Sequence, residues 1–66
     1  MKTIATLKQE HYYIVLGDLI ETRLDEKRKA RGWRKLTDAR YEELMNELAA
    51  EWDVDAGALR DYYEEE

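Results

Sequence analysis

The chain has no cysteine, no proline and no phenylalanine, and only three glycines and one histidine in 66 residues. Without cysteine there is neither a disulfide nor a thiolate metal site, so a packed core or an oligomer must carry the fold. The same absence fits a reducing compartment, and a cytoplasmic location is expected. His11, alone and without a thiol companion, has no zinc ligand set. Asp53 and Asp55 with Asp61 and Glu64 are spaced loosely like a calcium loop, but Gly57 and Ala58 stand where a ligand and the turn glycine are required. No metal and no cofactor are expected. No stretch approaches the roughly 20 apolar residues of a membrane span, and residues 1–7 lack the apolar run of a signal peptide, so no membrane partner is expected either. A domain this small also has little room for a concave substrate site, and neighbouring carboxylates on one helix without a pocket are not an acid/base pair. The chain reads as non-enzymatic.

What is present is charge. Hydrophobic residues make up 44% and charged residues 41%, which suits a short helical domain rather than a disordered tail. The net charge of -5 hides an asymmetry: residues 1–40 carry net +4 and residues 41–66 carry net -9. Eight cations, Arg23, Lys27, Arg28, Lys29, Arg31, Arg34, Lys35 and Arg40, fall within eighteen positions. The simplest reading is that this basic stretch lies beside the acidic half and each neutralises the other.

No internal repeat or linker-like stretch interrupts the chain, and residues 1–66 read as a single domain. Tyr41, Leu44, Met45, Leu48, Ala49 and Trp52 recur at helical spacing, with Glu42, Glu43, Asn46, Glu47 and Glu51 on the other side. Thr37 can cap this helix and Leu36 can staple to Tyr41, which predicts a helix over about 38–52. Asp55 and Val54 repeat the start signal before a last helix that buries Leu59, Tyr62 and Tyr63. In the first third, Tyr12, Leu16, Leu19, Ile20, Arg23 and Leu24 can form one face, with Gly32 as a left-handed cap, which predicts one long helix over about 8–31. The rival is a hairpin of residues 3–7 and 11–16 ahead of a shorter helix, since Tyr12 to Leu16 is strand-like and Gly17 costs about 1 kcal/mol inside a helix. The long helix is preferred because an isolated hairpin is a weak unit. The expected fold is all-α, three helices with a helix-turn-helix-like corner over 36–63. Its expected core is Leu16, Leu19, Ile20, Leu24, Leu44, Met45, Leu48, Trp52, Val54, Leu59 and Tyr62.

Ala49, Val54 and Leu59 occupy the small, post-turn apolar and second-helix apolar positions of a helix-turn-helix, and residues 48–63 resemble that class of domain. Val54, Gly57, Ala58, Leu59 and Tyr63 are similar to the pattern of the Tet-repressor class. Asp53 stands where that pattern usually has glycine, and the second helix lacks the polar and basic residues that would face DNA. The resemblance implies a last helix in a DNA major groove, with Ala56, Ala58, Arg60 and Asp61 nearest the bases. Arg60 suits a guanine edge, whereas Asp61 and Glu64 to Glu66 repel phosphates.

Two surfaces compete as binding sites. Arg28, Arg31, Trp33, Arg34 and Lys35, joined by Arg60, interleave cations with an aromatic as a nucleic-acid contact would, although Trp33 folding back onto the core is the preferred reading. Glu42, Glu43, Glu47, Glu51, Asp53, Asp55 and Asp61 lie on a helical pair and suit a negative surface that docks on a basic partner. The expected function is a small regulatory adaptor or inhibitor that binds a protein partner through this acidic face. The alternative is a helix-turn-helix transcription regulator that binds DNA. A homodimer sealed by Tyr63 or Trp33 is a further possibility.

Overall fold

In the computed structural model, which describes residues 1–65, four helices enclose one core: α1 (Ile4–Glu10), α2 (Leu16–Ala30), α3 (Asp38–Glu51) and α4 (Ala56–Glu65). Four of the boundaries have a clear local cause. The Thr3 hydroxyl accepts from the Thr6 amide at 3.2 Å to start α1, and Thr37 accepts from the Arg40 amide at 3.3 Å to start α3. The Asp55 carboxylate accepts from the Ala58 amide at 2.9 Å and starts α4. At the end of α2, Gly32 adopts φ 72°, and the Gly32 and Trp33 amides return to the Lys29 and Arg28 carbonyls at 3.0 and 3.1 Å. This is the paired closure that a left-handed residue after a helix allows.

The long first helix does not form; the segment 8–31 is broken at 11–15, and four helices replace the three expected. Tyr12, Tyr13, Ile14 and Val15 are aromatic or β-branched and gain little from helical backbone. They form a turn, with the Ile14 amide on the His11 carbonyl at 3.2 Å. Gly17 then falls in the first turn of α2, buried, where its cost is smaller than mid-helix. The hairpin is not supported: residues 4–7 are helical, and the bridge found is a single parallel pair between Lys2 and Val54, closed by the Lys2 amide on the Asp53 carbonyl at 2.6 Å.

The core is Leu7, Leu16, Leu19, Ile20, Leu24, Leu44, Met45, Leu48, Ala49, Val54 and Leu59. Trp52 and Tyr62, expected inside, are only partly buried and pack against it. Leu7 joins because α1 exists and docks on α4. In the turn from α3 to α4, the Asp53 and Val54 amides return to the Ala50 and Ala49 carbonyls at 3.3 and 3.0 Å, and Asp53 sits at φ 54°. Asp53 is the only non-glycine residue at positive φ among the described residues. Aspartate tolerates this conformation better than most side chains.

Candidate functional site

Helical spacing places Lys27 and Arg31 on one side of α2 and Glu43, Glu47 and Glu51 on the facing side of α3. Arg31 donates to Glu43 at 2.7 Å and to Glu47, and Lys27 reaches Glu51 and lies 3.5 Å from Glu47. The two helices are thereby joined along an ionic seam. The hydrogen bond from Arg31, followed by the nearby positive charge, holds the Glu47 carboxyl below the usual carboxylate range. The bond to Glu47 likewise raises Arg31. Asp25 is lowered in the same way, first by Arg28 at 2.7 Å and then by Lys29.

This pairing changes what the acidic face can offer. Glu42 accepts from Arg60 at 3.3 Å, Asp53 lies in the turn 3.8 Å from the Met1 amine, and Asp55 caps α4. Of the seven carboxylates singled out in the sequence, Asp61 is the one without a partner among the described residues; Glu66 lies outside them. The basic set is engaged as well. Arg28 donates to the Trp33 and Arg34 carbonyls at 2.7 and 3.2 Å, and Arg31 and Arg40 lie over the Trp33 ring at 5.1 and 4.8 Å from its centre. Trp33 packs on the core, as the preferred reading had it. Arg34 and Lys35 are exposed.

Between α2, the α2–α3 loop and the end of α4 runs an open groove of about 860 Å³ that includes Leu24, Lys35, Leu36, Tyr41 and Tyr63. The Tyr41 hydroxyl is enclosed and has no hydrogen-bond partner among the described residues. Burial raises its pKa, with Glu64 and Tyr63 adding to the effect and Arg60 opposing it. Tyr63 is also raised, by burial and then by Glu21.

The feature that sequence reasoning missed lies at the opposite kind of surface, apolar and uncharged. The large hydrophobic side chains most open to solvent are Tyr12 at 86%, Met1 at 85%, Tyr13 at 68% and Val15 at 59%. Tyr12, Tyr13 and Val15 lie in the α1–α2 turn, and Met1 lies beside the α3–α4 turn with its amine 3.8 Å from Asp53. His11 stacks on Trp52 with ring centres 5.5 Å apart, Tyr13 meets His11 edge-on at 6.0 Å, and Tyr12 meets Tyr13 edge-on at 6.0 Å. The His11 Nδ1 and the Tyr13 hydroxyl are 3.3 Å apart. The signal for this end was available in the run His11-Tyr12-Tyr13-Ile14-Val15, which is too rich in poor helix formers to continue a helix.

Among the described residues no group of three or more His, Asp or Glu side chains is placed to hold a metal ion, and no helix is long and apolar enough to cross a membrane. Comparison with protein-family models, with curated proteins and with solved structures finds no match to this chain.

Proposed function

We propose that this chain is a small non-catalytic protein-binding module, an adaptor or inhibitor, whose contact surface is the aromatic end formed by His11, Tyr12, Tyr13, Val15 and Trp52. The observation that carries the reading is the exposure of Tyr12 and Tyr13, which meet edge-on and continue through His11 to Trp52. Contiguous apolar surface is costly to leave in water, and tyrosine and tryptophan are the side chains that most often anchor protein contacts. The α3 carboxylates contribute solubility and partner choice at the margin, since they are already paired within the chain. The DNA-binding alternative is disfavoured because Arg60, the one cation of α4, is held by Glu42, while Asp61, Glu64 and Glu65 are exposed.

Affinity capture from an extract of the source cells tests the reading. The unaltered chain should retain a specific protein that Tyr12→Ser/Tyr13→Ser loses and Glu43→Gln keeps. Retention that is indifferent to the tyrosines but abolished at Glu43, or a duplex bound at physiological salt and lost with Arg60→Ala, would return the acidic-face or the DNA reading.

A further inference from the structure

We infer that residues 1–15 form a detachable arm occupying, within the chain, a helix-binding surface of residues 52–62, and that an amphipathic helix of another protein with the arm's own pattern takes its place there. The pattern is an apolar pair three positions apart, Ile4 and Leu7, followed by Lys8. The inference concerns an opened form of the chain and does not rest on the reading of the aromatic end.

The arm's attachments converge on one stretch. The Lys2 amide donates to the Asp53 carbonyl at 2.6 Å, and Lys2 pairs with Val54 in the parallel bridge. The Lys8 ammonium lies 5.2 Å from the centre of the Tyr62 ring, and the His11 ring stacks on Trp52. Leu7 is buried and Ile4 partly so, and α4 is the helix against which α1 chiefly packs. One continuous segment, the α3–α4 turn and α4, therefore receives the arm. The other three helices are joined to one another without it. Each of α2, α3 and α4 packs on the other two, with the ionic seam between α2 and α3 and the Arg60–Glu42 pair between α4 and α3. A seven-residue helix fastened to one segment opens more often than a mutually packed trio unfolds. Opening bares the segment that holds Val54 and Leu59, both buried in the closed form.

What this surface accepts is read from what covers it. The arm lays its Ile4–Leu7 edge on α4 and sets the next side chain, a lysine, over an aromatic ring, which is how a short amphipathic helix docks in a groove. Charge agrees with that choice. Residues 52–62 carry three aspartates against one arginine, and residues 1–11 carry two lysines against one glutamate. A chain of net charge -5 therefore attracts a basic amphipathic helix. If the arm is closed about a hundredfold over open, and tethering holds it at an effective concentration on the order of 1 mM, the same segment in trans binds the open form with a dissociation constant on the order of 10 μM. The closed arm weakens that binding about a hundredfold.

Native-state hydrogen exchange of the full chain tests the opening. The His11 amide, which returns to the Leu7 carbonyl at 3.0 Å, should be at least about tenfold less protected than the amides of Leu44 to Leu48 in α3. Ile4→Ser/Leu7→Ser should remove protection from α1 and leave it in α3. Should that variant fail to fold, Lys2→Pro removes the amide donated to Asp53 without altering the core, and should raise exchange at His11 but not in α3. Fluorescence anisotropy with a labelled synthetic peptide of residues 1–11 then reads the vacated surface. The opened variant should bind it at roughly tens of micromolar and the unaltered chain about a hundredfold more weakly. Leu7→Ser or Lys8→Glu in the peptide should weaken binding at least about tenfold. Exchange in α1 and α3 that rises together in the unaltered chain, or exchange at His11 unmoved by Lys2→Pro, would overturn the inference. So would an opened variant with α3 still protected that fails to bind the peptide, equal binding by the unaltered and opened chains, or binding indifferent to Leu7 of the peptide.

Discussion

Leu7→Ala probes the element that builds the aromatic end. The seven residues of α1 cannot hold a helix alone, because so short a segment does not repay nucleation. Its attachments are Leu7, 1% exposed, the partly buried Ile4, and the Lys2–Val54 bridge. Truncating a fully buried leucine costs about 2–5 kcal/mol, and a peripheral helix that can settle inward places the loss near 2–3 kcal/mol. Against a total stability of about 3–10 kcal/mol for a chain of this length, that is a large fraction. Urea unfolding should therefore show a clear fall in midpoint. Hydrogen exchange should quicken about 30-fold at the His11 amide, which returns to the Leu7 carbonyl at 3.0 Å, 2 kcal/mol being about 1.5 decades. The His11–Trp52 stack should loosen with it. A midpoint change below about 0.5 kcal/mol with unaltered exchange at His11 would show that α1 is not docked, and the aromatic end would lose its scaffold.

Three further outcomes follow from single features. Tyr41→Phe should stabilise the fold by about 1 kcal/mol, opposite to the usual sign, because it removes an enclosed hydroxyl that has no partner among the described residues; a loss of stability in thermal unfolding would refute this. Gly32→Ala should cost about 1 kcal/mol although no atom lies within 4 Å of the added methyl, since the penalty is the left-handed backbone at φ 72°. D-alanine introduced there by synthesis should be tolerated, and equal effects of the two enantiomers would contradict the assignment. Glu47 titrates below its ordinary 4.5, so as pH falls past that value the unfolded chain takes up the proton first. Stability from this group, fully present above 4.5, is then lost as pH falls through the lower folded pKa, and Arg31→Gln should flatten that part of the stability–pH curve measured by urea titration.

Elements with a periodic apolar stripe and a capping side chain were legible in the sequence. The helix expected over 38–52 is α3, with Thr37 capping it, and Asp55 and Gly32 do what their residue types imply. The first third was not legible in the same way. Tyr12 and Leu16 share a helical face with Leu19, Ile20 and Leu24 on paper, and periodicity alone cannot see that the backbone changes direction at Tyr12 to Val15. What decides it is Leu7, which finds a buried place on α4 only if α1 folds back, a contact between residues far apart in the chain. The candidate site inherits this. Tyr12 belongs to an inward face on a continuous helix, and to solvent once the helix is broken.

The simplest reading of the charge asymmetry, a basic stretch lying beside the acidic half and neutralising it, is what the ion pairs show. Acid and base separated along a chain can either form two surfaces or close on each other, and the register of α2 against α3 decides between them. With Lys27 and Arg31 one turn apart, and Glu43, Glu47 and Glu51 one turn apart on the facing helix, each cation meets two carboxylates, and the seam closes. A closed seam binds the helices to each other and leaves little for a polyanion or a basic partner. Each exposed pair is worth little alone, and salt weakens all of them together. Apolar contact at the other end responds in the opposite direction. Salt therefore separates the two surfaces in one experiment: as it rises, the fold should lose some of the seam's support while tyrosine-dependent binding at the aromatic end holds.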